Sequence, residues 1–228
     1  MSQLDPSLGP GLLYLHGFAS SPESYKGRAF ARHFGEERLR RLDLRLPNRD
    51  HLRVSAMIDH VRAETRVAEE VILIGSSLGG LVAAHVAALE PAVRAAIVMA
   101  PAFGFVRRWG ERLGAEAMAR WRGGEALEVE DHAGGPPLQV DFGFYEDAAL
   151  VDAAFPHLEV PVLIFHGRQD EVVDIAGSVA FAEQTSHADL VKLEDDHGLV
   201  KSLPRILERS TNFIQTLRRD HEPQRNPQ

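Results

Sequence analysis

Short apolar runs alternate with amphipathic stretches along most of the chain. Residues 11–15 (Gly-Leu-Leu-Tyr-Leu), 71–74 (Val-Ile-Leu-Ile), 93–99 and 160–165 are nearly continuous apolar runs. Runs of this length with no polar side predict strands buried on both faces. Residues 39–46, mixed with arginines and ending at Pro47, predict a further strand, and 190–193 the last. Between them lie helical patterns. Residues 23–34 repeat Tyr25, Ala29, Phe30 and Phe34, with Ser21 as the N-cap and Pro22 in the first turn. Residues 51–68 place Leu52, Ala56, Ile58 or Met57, and Val61 on one side, and 81–89 are alanine-rich and stop at Pro91. Segments 146–155, 175–184 and 203–217 complete the helices. This alternation predicts a single three-layer α/β domain over 1–228, with a parallel sheet of about six strands and helices on both faces.

The pattern breaks after the fourth strand. Residues 101–145 hold no strand–helix unit of the usual size, but do hold Phe103, Phe105, Trp109, Trp121, Phe142, Phe144 and Tyr145. A polar stretch at 127–132 predicts one short strand, and Gly-Gly-Pro-Pro follows at 134–137. An insertion of this length in a compact core (10–100 and 146–218) predicts a lid or substrate-binding region. The polar tail, 221–228, is expected to be disordered.

Chemistry concentrates where the strands end. The run at 71–74 leads into Gly75-Ser76-Ser77-Leu78-Gly79-Gly80 and then at once into a helix. Gly-x-Ser-x-Gly between a strand and a helix is the pattern of a nucleophile elbow, in which a tight turn pushes the serine hydroxyl out of the sheet edge. Ser77 is the candidate nucleophile; Ser76, the spacer, points the other way. A serine needs a base, and the base needs an acceptor to fix its tautomer. Asp170 follows the strand at 160–165 within His-Gly-Arg-Gln-Asp, and His197 follows the last strand, next to Gly198. Asp174 and Glu171 are competing acids, and His166 is expected to order the acid loop through its ring nitrogens. His33, His60 and His85 fall in helical segments as packing or surface residues. The oxyanion of an acyl transfer needs two donors. Leu78 N–H, at a helix start, supplies one, and Phe18 N–H in the loop His16-Gly17-Phe18-Ala19 is the choice for the second, ahead of Ala19.

Composition narrows the partners. A net charge of −8 argues against nucleic acid as the main partner. The absence of cysteine removes disulfides, thiol nucleophiles and thiolate metal sites. No run approaches transmembrane length and residues 1–10 lack a signal-peptide pattern, so a cytoplasmic location without stable membrane association is expected. Phe103, Phe105, Trp109, Phe142 and Phe144 are candidate walls of an apolar acyl pocket, with Trp121 and Tyr145 beside them. Arg107, Arg108, Arg112, Arg120 and Arg122 either attract an anionic substrate or form solvated helix faces. An apolar face of the insertion is also compatible with a homodimer contact.

With these residues in place, the chain resembles the α/β-hydrolase superfamily over residues 10–218. The stretch Tyr-Leu-His-Gly-Phe-Ala-Ser-Ser-Pro-Glu-Ser at 14–24, with Lys26 soon after, and the elbow at 75–80 are similar to small bacterial esterases of the YqiA-like group. The resemblance implies carboxylic ester hydrolysis with Ser77, Asp170 and His197 as triad, Phe18 and Leu78 as oxyanion donors, and no cofactor. The chain departs from the full-size superfamily in starting directly at the strand before His16, and from the smallest esterases in its longer insertion. The expected function is a serine esterase acting on a small-molecule ester of short or medium acyl chain. Thioester hydrolysis, acyl transfer or carbon–carbon bond hydrolysis would use the same triad, and a ligand-binding module on the same fold would not need it.

Overall fold

A computed structural model describes residues 10–219. In chain order the strands are β1 (Gly11–Leu15), β2 (Leu39–Leu42), β3 (Val71–Ser76), β4 (Val93–Met99), β5 (Leu127–Val129), β6 (Leu138–Val140), β7 (Val162–Gly167) and β8 (Ala188–Leu193). The helices are α1 (Tyr25–Phe34), α2 (Val54–Thr65), α3 (Leu78–Leu89), α4 (Phe105–Arg122), α5 (Phe142–Val151), α6 (Ile175–Gln184) and α7 (Leu203–Arg219). Six strands form one sheet in the order β2-β1-β3-β4-β7-β8, and every pairing in it is parallel. The expected six-stranded parallel sheet is present.

Strand side chains alternate between the two faces of a sheet. Leu12 and Tyr14 of β1, Ile72 and Ile74 of β3, and Ile97 and Met99 of β4 pack with Phe30 of α1 and Ile206 and Ile214 of α7. Leu13, Leu15, Leu73, Val98 and Ile164 point the other way, onto Val61 of α2, Val82 and Val86 of α3 and Phe181 of α6. Both faces are therefore covered, which is why the strands read as unbroken apolar runs. Ala83, Ala84 and Ala87 of α3 are buried because this helix lies between the sheet and α2.

The connection from β1 leads to one side of the sheet and that from β3 to the other, although the two strands are neighbours, Leu15 pairing with Gly75. A crevice opens at the carboxyl ends of strands where the winding reverses in this way. The loop after β1 and the turn after β3 face each other across it.

The insertion is more regular than its sequence predicts. Its first half is α4, two helical pieces joined at Gly114, whose φ of 77° breaks the helix. The single strand expected at 127–132 is one arm of an antiparallel hairpin, β5 with β6. Helix α5 starts at Phe142 rather than at 146 because Asp141 caps it, its carboxylate accepting the Phe144 N–H at 3.2 Å. Buried Trp121 donates its indole N–H to Val140 O at 2.8 Å, joining the end of α4 to the hairpin. Asp152 accepts from Gly104 N–H at 2.8 Å and Val106 N–H at 3.2 Å, fixing the start of α4 to the end of α5. Arg53 and Ser55 at the start of α2 bind Asp141 and Asp147, which seats the insertion over the carboxyl edge of the sheet.

Strand β2 ends at Leu42, short of the expected 46, because Leu44 N–H leaves the ladder for a side chain of the β1 loop. Among the described residues no helix is long and apolar enough to cross a membrane. The tail at 221–228 lies outside the described residues.

Candidate active site

Ser77 sits between β3 and α3 with φ 53° and ψ −118°, a conformation that costs an L-residue of order 1–3 kcal/mol. Three N–H groups hold it there: Ser77 O accepts from Gly80 (2.8 Å), Ala102 (3.1 Å) and Leu81 (3.2 Å). The flanking glycines are a steric requirement. A Cβ on Gly79 would lie 2.5 Å from His16 O, and one on Gly75 would lie 2.7 Å from Gly80 Cα. Ala19, Ala100 and Leu199 also have positive φ, at 51°, 44° and 53°. Together with Ser77 they follow β1, β4 and β8 as well as β3, so strained backbone gathers around one end of the sheet.

Ser77 makes no capping bond to α3, and its hydroxyl lies 3.1 Å from His197 Nε2. His197 Nδ1 lies 2.8 Å from Asp170 Oδ2. A carboxylate can only accept, so Nδ1 carries the proton and Nε2 is left to accept the serine proton. The Asp170 carboxyl is fully buried, whereas the His197 ring is 24% exposed. Burial alone pushes the Asp170 pKa up. Hydrogen bonds from His166 and His197, the His197 charge and the Val173 N–H outweigh it and hold the group well below the usual carboxylate range. Asp170 Oδ1 accepts from Val172 N–H (2.9 Å) and Val173 N–H (2.8 Å), which fixes its plane.

His166 is fully buried beneath this carboxylate. Its Nε2 faces two acceptors, Val173 O at 3.1 Å and Asp170 Oδ2 at 3.2 Å, and its Nδ1 lies 2.7 Å from Ser178 Oγ. The ring therefore donates from Nε2 and ties the acid loop to α6. The competing acids are placed elsewhere. Asp174 caps α6 through the Ala176 N–H and pairs with Arg108, and the Glu171 side chain is exposed.

The loop after β1 abuts Ser77: a Cβ on Gly17 would lie 3.3 Å from Ser77 Cβ. Among the described residues, the N–H groups of Phe18 and Leu78 donate no hydrogen bond, and both residues line the cavity in front of Ser77. Leu78 opens α3, so its N–H also carries the positive end of the helix dipole. Two supports of this loop are not evident from sequence. His16 donates from Nδ1 to Gly17 O at 2.8 Å and accepts the Leu44 N–H at Nε2 at 2.9 Å, fixing the loop to the chain after β2. On the other side the Phe18 ring stacks on Phe144 at 5.0 Å and meets Trp109 edge-on at 5.5 Å, while Ala19 O accepts the His132 N–H. Lys26 is a third contributor that sequence reasoning placed in a motif but gave no role. It reaches from α1 and donates to Gly198 O at 2.8 Å, next to His197.

The cavity at Ser77 encloses about 410 Å³. Phe105 and Trp109 line it, together with Leu113, Val129, Val172 and Val173. Phe103, Phe142 and Phe144, expected as walls, do not. Phe103 is buried against Phe155 and Phe181. Phe142 packs on Trp121 and Tyr145 under the Arg122 guanidinium. Phe144 is completely buried behind Phe18. Among the described residues no cluster of His, Asp and Glu is arranged to hold a metal ion.

Residues 11–215 match the profile of the uncharacterised protein family UPF0227. The chain belongs to that family. Its fold is that of the α/β-hydrolases, in agreement with the resemblance to the YqiA-like group. Mouse alpha/beta hydrolase domain-containing protein 10 superposes with a TM-score of 0.76 at 22% identity, over 92% of this chain and 91% of its own. Est1E from Butyrivibrio proteoclasticus superposes with a TM-score of 0.70 at 25% identity, over 91% and 88% of the two chains. Esterase Pf2001 from Pyrococcus furiosus does so with a TM-score of 0.64 at 16% identity, over 93% and 85%. No curated protein matches the chain in sequence.

Proposed function

We propose that this protein is a serine hydrolase that cleaves carboxylic esters through an acyl-enzyme. The observation that carries the reading is the unbroken hydrogen-bond chain from Ser77 through His197 to Asp170, opening on an apolar cavity.

Ester bound in the cavity presents its carbonyl carbon to Ser77 Oγ. As Oγ attacks, its proton passes to His197 Nε2, and ionised Asp170 stabilises the imidazolium through Nδ1–H. The carbonyl oxygen gains a full negative charge and is held by the free N–H groups of Phe18 and Leu78; one such donor contributes roughly 2.7–4 kcal/mol to the lowering of the barrier. The tetrahedral intermediate collapses as His197 returns the proton to the leaving alkoxide. Water then enters, gives its proton to the same Nε2 and attacks the acyl-enzyme, and Ser77 leaves with the proton restored. Apolar walls favour an acyl or aryl group over a sugar or peptide in the cavity.

The test is hydrolysis of p-nitrophenyl acetate, butyrate and octanoate by the purified protein, followed to millisecond times. The reading predicts turnover with a burst of one nitrophenol per chain, absent in Ser77→Ala. Turnover that persists unchanged in Ser77→Ala would contradict it.

A further inference from the structure

Resting on the esterase reading, we infer that the preferred ester carries an anionic group, seated against Arg112 and Arg108 at the α4 wall of the cavity. The sequence presents five arginines between 107 and 122, and the structure separates them. Arg107 pairs with Glu111 one turn on, both well exposed. Arg120 pairs with Glu116 and Glu125. Arg122 lies over the Phe142 ring. These three are accounted for on the outer surface and do not line the Ser77 cavity. Arg108 and Arg112, one helical turn apart, do line it.

Their own partners leave positive charge in place. Arg108 lies 3.1 Å from Asp174 Oδ2, but that carboxylate is 58% exposed and also caps α6 through its other oxygen. Arg112 bonds only the Glu171 backbone carbonyl, at a long 3.3 Å, and no carboxylate pairs with it among the described residues. A guanidinium has five N–H donors, so most of the Arg112 set is available. The rest of the lining is almost wholly apolar, and the chain as a whole is acidic at −8. A cationic spot at the wall of an apolar cavity in an acidic protein selects a ligand with an apolar body and a negative end.

Two matched ester pairs test this. One is mono-p-nitrophenyl adipate against p-nitrophenyl hexanoate, with the anion on the acyl side. The other is 4-carboxyphenyl hexanoate against phenyl hexanoate, with the anion on the leaving group. Each ratio of kcat/KM is first corrected for the uncatalysed rates. The inference predicts that one pair favours the anionic ester by about five- to tenfold. That preference should fall with added salt and collapse toward unity in Arg112→Gln. Arg107→Gln, an exposed control, should keep the wild-type ratio. A protein that hydrolyses the neutral esters but shows no anionic preference in either pair overturns this inference alone. A protein that hydrolyses none of the four overturns it together with the esterase reading.

Discussion

Replacing Lys26 with methionine tests whether the loop that carries His197 is held from a distance. The substitution keeps most of the aliphatic stem and removes the ammonium, which donates to Gly198 O at 2.8 Å across 172 positions of sequence. Burial pulls the Lys26 pKa down by more than Asp196, Asp170 and Asp195 raise it, and these carboxylates around the amine include the proposed triad acid. A hydrogen bond from a charged donor contributes about 1.5–3 kcal/mol. Only the part that holds His197 toward Ser77 shows in the rate, and about 1.4 kcal/mol of it corresponds to a tenfold fall in kcat. The expected result for Lys26→Met is therefore a fall in kcat of about tenfold or more, a KM changed far less, and a loss of stability of about 1–3 kcal/mol. The assay is p-nitrophenyl butyrate hydrolysis beside urea unfolding. Lys26→Arg, which keeps the charge, should recover part of kcat. A folded Lys26→Met protein with wild-type kcat would refute the reasoning.

Other consequences are equally direct. Asp170→Asn leaves the shape of the site but loses the acceptor that fixes the His197 tautomer, and kcat should fall by roughly 10³–10⁴ with the fold retained by circular dichroism. The depressed Asp170 pKa sets a sign: its stabilisation is complete above the unfolded carboxylate pKa of about 4 and is lost as pH falls toward the native value. Urea titrations between about pH 5 and about pH 3 should show wild type losing more stability than Asp170→Asn, and equal losses would count against the ionised, paired carboxylate. Gly79→Ala forces a methyl against the carbonyls of Leu15 and His16, backbone that cannot step aside, and should cost about 1–3 kcal/mol in urea unfolding.

The sheet was legible because each of its central strands is apolar on both faces, a pattern that short amphipathic helices cannot imitate. The positions of Ser77, Asp170 and His197 were legible for a related reason: each lies in the loop or turn after an expected strand, and strand ends converge in a parallel sheet. The insertion was less so. Gly110 and Gly114 interrupt the helical pattern of α4, and β6 is a three-residue strand whose partner lies across a long loop. Which aromatics face the cavity depends on neighbours distant in sequence. Phe144 is buried by Phe18, and Phe103 by Phe181, contacts that no local spacing reveals. The division of the five arginines between surface and cavity is likewise a matter of helix rotation against the core. His16 and Lys26 were visible as motif residues, but their partners, Leu44 N–H and Gly198 O, are set only by the folded chain.

The most direct measurement is reaction with a fluorophosphonate probe, with the modified residue mapped by mass spectrometry in wild type, Ser77→Ala and His197→Ala. The account predicts a single phosphonylated serine at 77, lost in Ser77→Ala and slowed at least a hundredfold in His197→Ala. Folded wild-type protein that takes no label, or that is labelled equally well without His197, would contradict an activated serine at this elbow.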